Sequence, residues 1–273
     1  MTGTLRSFSP YLGIFRMRLI AGMQYRAAAW AGVATQFFWG TIELLVYSAF
    51  YRAARDAPMA FNQLADFIWL RQAFLAMFAL WAQDEELLNM VVKGDAAYEL
   101  CRPCTIYTFW YARLLATRFA RTLLRCFPIL IVAAFLPEPF RFHLPPGLNA
   151  AVLFVPALLL ASLLVAAISM FIYLLTFVTL SSTGSKMLLG VAGEFLMGAL
   201  IPIPFMPEAL QRFLDFLPFR YLADFPFRVY SGHIPVADAL TGIGVQAVWI
   251  VLLIGAGLLA FRGIQKRIVV QGG

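Results

Sequence analysis

The sequence has few charged residues and very few residues of the kinds that form disulfides or bind metals. Only 13% of its 273 residues are charged, whereas 62% are hydrophobic and the mean hydropathy is +0.80. This composition excludes an ordinary soluble globular protein and indicates an integral membrane protein. Three cysteines are too few for a disulfide framework. Cys101 and Cys104 form a C-x-x-C pair, but a zinc site needs about four ligands, so we predict no metal or redox site.

Motifs of nucleotide binding and covalent catalysis are also missing. The stretch SSTGSK at residues 181–186 lacks the G-x-x-x-x-G-K-[ST] spacing of a phosphate-binding loop, and neither G-x-S-x-G nor H-E-x-x-H occurs. We therefore predict no catalytic residue and no cofactor in this chain. If the protein uses ATP, another chain must hydrolyse it.

The hydrophobic residues are gathered into long runs that predict membrane-spanning helices. There are six such runs, at residues 27–50, 67–82, 117–135, 149–180, 187–203 and 240–261. The fourth is longer than one span requires, but Pro156 is its only turn signal, so we interpret it as one tilted helix. We predict an all-α polytopic membrane protein with six transmembrane helices in a single domain, residues 1–273.

The distribution of Lys and Arg predicts the orientation of the spans. With the N-terminus inside, the inner segments carry 14 of the 21 basic residues and the outer segments carry six, and Arg71 lies within a span. We therefore predict that both termini are cytoplasmic. The net charge of +7 is explained by inward-facing arginines near anionic lipid head groups, and we predict no nucleic-acid partner.

A proline-rich segment follows the fifth predicted span, at residues 200–232. Pro202, Pro204 and Pro207 end that span because proline removes a backbone donor, and Pro218 follows. Between the prolines, the spacing predicts a short amphipathic helix. Its apolar face holds Leu210, Phe213, Leu214 and Leu217. Irregular structure of this kind suits the place where a transport path opens, so we predict an outer-face helical segment, residues 204–239, that forms an exit-side gate.

Two segments are predicted on the cytoplasmic side. Residues 1–26 are predicted to form an amphipathic helix in which Arg16, Arg18 and Arg26 reach phosphates. Its Leu12, Phe15, Leu19 and Met23 would enter the bilayer. This helix is either a topology-setting anchor or a lever that touches a cytoplasmic partner.

Residues 83–116 form the largest inner loop, with an acidic start and a helical stretch that breaks at Gly94. Such a loop either is only a solvated connection or is displaced by a soluble subunit that binds it.

Ionisable residues within the predicted spans are functional candidates because charge is costly in a bilayer. Glu43 and Arg71 could pair, in which case they are structural. Glu194 has no obvious partner of opposite charge in the other spans, so it is the best candidate for a path-lining residue. Arg118, Arg121 and Arg125 share one face and are predicted to extend toward inner head groups or the acidic loop.

Several of these motifs resemble the membrane subunit of type-2 ATP-binding-cassette (ABC) exporters, in particular a six-span bacterial branch. The resemblance lies in MQYRAAAWAG before the first span, VVKGDAAYELCRP in the inner loop, IPIPFMP followed by FLPFRYL, and RVYSG before the last span. It covers nearly the whole chain. The second motif is similar to a G-x-x-x-x-x-L-x-R-P signature through Gly94, Leu100, Arg102 and Pro103.

The resemblance implies a half-permease in the bacterial cytoplasmic (inner) membrane. It would pair with a second permease, identical or homologous, and with two cytoplasmic ATPase subunits that bind ATP and Mg. The inner loop would be the coupling helix, and the residues after the fifth span would form short, partly re-entrant helices. The coupling residues implied are Lys93, Gly94, Asp95, Tyr98, Arg102 and Pro103.

Two other functions remain open from the sequence. An ion-driven secondary transporter would use Glu43, Arg71 and Glu194 as a relay, although no inverted repeat is apparent. A membrane-embedded assembly factor or enzyme would depend on a residue such as Cys104 or His233. The apolar, aromatic spans suit an amphiphile, a hydrophobic peptide or a lipid-linked substrate, and the glutamates would tolerate a cationic one.

Overall fold

The computed structural model describes residues 3–24, 26–53, 56–99 and 105–265, and over these residues it is helical without strands. The first half contains α1 (Gly3–Met23), α2 (Arg26–Ala53), α3 (Phe61–Ala73), α4 (Leu75–Phe78), α5 (Glu85–Lys93), α6 (Ala96–Glu99) and α7 (Ile106–Ala134). The second half contains α8 (Leu148–Thr179), α9 (Ser182–Lys186), a π-helical turn (Met187–Val191), α10 (Ala192–Leu196), α11 (Glu208–Asp215), α12 (Asp224–Tyr230) and α13 (Val236–Gln265), with 3-10 turns at Ile203–Phe205 and Phe219–Tyr221. The all-α prediction is confirmed.

Two helices, α8 and α13, are long and apolar enough to cross a membrane by length and composition. The 32-residue α8 is continuous through Pro156, which confirms the prediction of one helix. Its small residues Ala157, Ala161 and Ser162 are buried, and small residues let neighbouring helices approach closely. Helices α13 and α12 pack along it, and Gln246 of α13 donates a hydrogen bond to the Ala157 carbonyl.

Three predicted spans have different boundaries in the structure. The second is divided into α3 and α4 and ends at Phe78. The third, α7, begins at Ile106, so eleven residues that were predicted to lie in the inner loop belong to this helix. Arg113 lowers the hydropathy there, but its charge is neutralised by Asp84. The fifth ends at Leu196, before all the prolines, because Gly198 adopts a left-handed φ of 75°.

Helix α1 packs against α7, which corrects part of its predicted membrane face. Gly22 lies against Ala120, and the Phe15 ring faces Phe119 at a centroid distance of 6.4 Å. Phe15 therefore contacts protein, whereas Leu12 and Met23 are exposed as predicted. Arg18, which is predicted to reach lipid phosphates, pairs with Glu86. The Arg26 side chain lies outside the described residues.

Two hydrophobic clusters hold the bundle together. The larger one surrounds α3, where the Phe227 ring of α12 contacts Phe67 and Phe78 edge-on at 5.8 and 5.6 Å. The other lies near the inner loop and packs Leu87 and Leu88 of α5 against Trp110 and Tyr173. The first cluster holds α12 of the proline-rich segment against α3 and α4, and the second holds α5 against α7 and α8.

The contact between α12 and α13 gives a first test of this packing. A Cβ on Gly242 would lie 2.2 Å from the buried Phe225 ring, whereas a Cβ on Gly244 would meet nothing within 4 Å. Gly242→Val is therefore expected to destabilise the protein by about 1–3 kcal/mol through overpacking. Gly244→Val, the matched control on the same helix, should change stability little. Thermal unfolding in detergent measures both, and equal midpoints would contradict the packing.

Candidate functional site

A large groove runs along α2 and brings the three intramembrane charge candidates onto one surface. Its volume is about 1330 Å³, and Glu43, Arg71 and Glu194 all line it. The wall includes the apolar and aromatic residues Trp39, Ile42, Val46, Tyr47, Phe50, Leu75, Trp81, Val191, Leu200, Ile201 and Phe205. A mostly apolar concave surface with a few convergent polar groups is the usual form of a ligand site.

The groove has the length of a bilayer core. On α2 its lining runs from Gly32 through Gln36, Trp39 and Glu43 to Phe50, a spacing that keeps one helix face toward the groove. At a rise of 1.5 Å per residue, this stretch is about 27 Å long, against about 30 Å for the hydrocarbon core of a membrane. The groove can therefore run between the two membrane surfaces.

Glu43 and Arg71 form an ion pair in the wall of the groove, which confirms that they pair. The Arg71 guanidinium donates one hydrogen bond to Glu43 and another to the backbone carbonyl of Ala199. Arg71 thus joins α2 and α3 to the chain that leaves α10 toward the prolines.

Glu194 lies on α10 and binds backbone. Its carboxylate accepts a hydrogen bond from the Leu80 N–H at 2.8 Å, and Gly193 beside it packs against the Leu80 side chain. Leu80 follows the end of α4, where the N–H has no helical partner. The sequence could not show this contact, because the two residues are far apart in the chain and the partner is a backbone atom.

The buried side chain of Arg118 also stabilises the break after α4. Arg118 donates to the carbonyls of Met77 and Ala79 at 2.7 and 3.0 Å and to Ser169 Oγ at 3.0 Å. The prediction that Arg118 extends to head groups or to the acidic loop is therefore wrong, since Arg118 is 3% exposed and its hydrogen bonds go to these three groups. Unpaired backbone groups are costly in a membrane, so a buried arginine that binds two carbonyls stabilises the break. Arg121 is exposed, and Arg125 lines the groove.

The inner loop forms two short helices broken at Gly94, as predicted. Asp84 caps α5 by accepting from the Glu86 and Leu87 N–H groups, and Gly94 ends it with a left-handed φ of 81°. Helix α6 follows. Lys93, Asp95, Val92 and Tyr98 are exposed. Arg102, Pro103, Cys101 and Cys104 lie outside the described residues.

The acidic start of α5 is bonded to three other helices. Arg113 of α7 binds Asp84 through Nε at 2.7 Å and Glu86 through Nη2 at 2.5 Å. Arg18 of α1 also binds Glu86, at 2.9 Å, and Lys186 of α9 binds Glu85 at 2.6 Å. The pKa of the Glu86 carboxyl lies below its ordinary value, chiefly because Arg18 donates a hydrogen bond to it, and Arg113 adds to the effect.

The proline-rich segment, residues 200–232, is packed around a buried ion pair that sequence reasoning missed. Asp224 is fully buried, accepts from the Ile203 N–H at 3.2 Å and pairs with Arg228 at 2.9 Å. The i, i+4 spacing of these two residues among aromatic residues was the available signal. This pair joins α12 to the turn that follows Pro202.

The four prolines lie at the boundaries of short elements. Pro202 precedes the first 3-10 turn and is buried, Pro204 lies within that turn, Pro207 precedes α11, and Pro218 precedes the second 3-10 turn. On α11, Leu214 is buried and Leu210 and Leu217 are partly buried against Ile203 and Met206. Phe213, however, is 56% exposed, so the predicted apolar face is only partly covered by the protein.

No group of three His, Cys, Asp or Glu residues within the described ranges could hold a metal ion.

Comparison with known proteins identifies the family of the chain. The family model described as ABC-2 family transporter protein matches residues 62–272. No curated protein and no solved structure matches. The family match extends from α3 through the inner loop and the proline-rich segment, and covers well over half of the sequence. The chain therefore belongs to the ABC-2 family of transporter proteins.

Proposed function

We propose that this permease forms half of a translocation path in an ATP-driven exporter, with a second permease and two cytoplasmic ATPase subunits completing it. The observation that carries the proposal is the position of α5. Its acidic N-terminus is bonded to α1, α7 and α9, while Val92 beside its other end and Tyr98 on α6 are exposed. A partner that moved the exposed end would therefore move three other helices.

One connected route leads from α5 to the groove. Glu85 binds Lys186 on α9, and α9 continues through the π-helical turn into α10, which carries Glu194. Glu194 in turn accepts a hydrogen bond from the Leu80 N–H, just after the end of α4. π-Helical turns occur often at functional sites. Displacement of α5 would reach the groove wall along this route, which supports alternating access driven from the cytoplasmic side.

The assignment of sides follows from the charges. With both termini in the cytoplasm of a bacterial inner membrane, α5 and α6 face the ATPase, and the segment from Pro202 to Tyr230 lies above the groove on the outer face. That segment would act as an exit-side gate, with Asp224 joining its two halves. The proposed direction is export, which is the direction that the resemblance to type-2 ABC exporters implies.

The test uses the permease purified together with an ATPase encoded beside it. Tyr98→Asp should abolish stimulated ATP hydrolysis and weaken co-purification about tenfold or more, since it places a charge in the centre of the proposed contact. Phe216→Asp is the matched control, because Phe216 is similarly exposed, 79% against 73%, but lies on the outer segment. It should leave ATP hydrolysis unchanged.

Two results would contradict the proposal. One is that the permease and the ATPase never associate. The other is that Tyr98→Asp and Phe216→Asp have the same effect on ATP hydrolysis. Transport by the permease alone, driven by a proton gradient, would instead support a secondary transporter.

A further inference from the structure

We propose that the groove binds an amphiphile with a positively charged, hydrogen-bond-donating head group, such as a long-chain primary amine. This inference rests on the proposed function, since it names the substrate class of that same groove. The head group would lie near Gln36 and Glu194, and its hydrocarbon chain would lie along the apolar wall of α2.

The wall of the groove holds two side-chain oxygens that can accept a hydrogen bond from a ligand, one on Gln36 and one on Glu194. Gln36 is 4% exposed and lines the groove, and its Oε1 accepts no hydrogen bond from the described part of the protein. A buried amide oxygen without a partner is costly, and a ligand donor would remove that cost. Glu194 has one contact, the Leu80 N–H to Oε1, so its second oxygen can accept from a ligand.

The charges of the wall favour a cation. Three carboxylates, Glu43, Asp56 and Glu194, line the groove with two guanidinium groups, Arg71 and Arg125. Arg71 is already engaged by Glu43 and the Ala199 carbonyl. This pairing leaves two carboxylates, Asp56 and Glu194, against one guanidinium group, Arg125.

Other cations do not pair directly with Glu194. Arg118 exerts a Coulomb attraction on it, but the hydrogen bonds of Arg118 go to Met77, Ala79 and Ser169. Among the described residues, none forms an ion pair with Glu194 through its side chain. A ligand ammonium would provide one.

The aromatic residues of the groove suit the same ligand. Trp39 and Trp81 line the groove and are more than half exposed, and tryptophan faces attract cations. Ile42, Val46, Leu200 and Ile201 continue the apolar wall. The length of about 27 Å along α2 accommodates an extended alkyl chain as well as its head group.

The experiment measures ligand binding to the purified permease in nanodiscs of neutral phosphatidylcholine, without the ATPase. Dodecylamine, dodecyl sulfate and dodecanol share one chain length and differ in head group. Saturable changes in tryptophan fluorescence, corrected with empty nanodiscs, give the affinities. Dodecylamine should bind at least about tenfold more tightly than either of the others. Glu194→Gln and Gln36→Leu should each weaken dodecylamine binding about tenfold, and Glu208→Gln, on the exposed outer face, should not.

Three results would overturn this inference: dodecyl sulfate binding as tightly as dodecylamine, dodecanol doing so, or Glu194→Gln binding dodecylamine like the unmodified protein. The amide oxygen of the introduced glutamine can still accept from the Leu80 N–H, so the Glu194→Gln variant should fold normally. An unchanged unfolding midpoint checks that it does. Binding of the amine without any association with an ATPase would refute only the proposed function. Association and stimulated ATP hydrolysis without amine selectivity would refute only the substrate class.

Discussion

Asp224→Ala is expected to destabilise the protein by about 3–5 kcal/mol, the range for removing one partner of a buried ion pair. Asp224 is fully buried and has two partners, the Arg228 guanidinium and the Ile203 N–H. The substitution leaves a mostly buried positive charge and an orphaned backbone donor at the same place. Thermal unfolding of the detergent-purified permease should show a much lower midpoint, and proteolysis should cut the segment between Pro202 and Tyr230 first.

A surface ion pair of the same i, i+4 spacing provides the control. Glu208 and Arg212 on α11 lie 3.1 Å apart, and both side chains are exposed. Glu208→Ala should cost well under about 1 kcal/mol, because exposed pairs contribute little. If Asp224→Ala unfolded at the same temperature as Glu208→Ala, the buried pair would not be what holds the outer segment on the spans.

Local signals in the sequence predicted the parts of the fold that depend on local physics. The continuity of α8 followed from 32 residues with a single proline, and the break between α5 and α6 followed from Gly94. Both were confirmed, because helix length and left-handed backbone are properties of a few neighbouring residues. The pairing of Glu43 with Arg71 also followed from a simple rule, that charges in a membrane seek opposite charges.

What the sequence could not predict depends on contacts between distant residues. Arg118 was expected near head groups because arginines usually extend there, but two free carbonyls at the broken end of α4 bind it instead. The fifth helix was extended too far because its hydropathy continues to Ile203, whereas Gly198 ends it. Neither the break at Ala79 nor the contact of Leu80 with Glu194 has a signal in hydropathy or spacing.

The ion pair between Glu43 and Arg71 leads to the second large effect. Arg71→Met should destabilise the protein by about 3 kcal/mol, because it leaves Glu43 in the groove wall without its counter-charge and the Ala199 carbonyl without a donor. On a Glu43→Met background, the same substitution should cost only about 1 kcal/mol, since no carboxylate is then left unpaired. The difference, about 2 kcal/mol, is a coupling energy that a double-mutant cycle in thermal or chemical unfolding measures.

Transport measured with the same set of variants decides whether the pair of Glu43 and Arg71 is structural or part of a relay. If Glu43 and Arg71 serve only to fix α2, α3 and the exit from α10, the double variant should regain most of its stability and transport its substrate in proteoliposomes with the ATPase. An ion-driven relay requires a titrating carboxylate, so the double variant would then be stable but inactive. Additive costs in unfolding would contradict the pairing itself. We expect coupling in stability together with preserved transport, because Arg71 is engaged by Glu43 and by backbone, while Glu194 and Gln36 keep acceptors for a ligand.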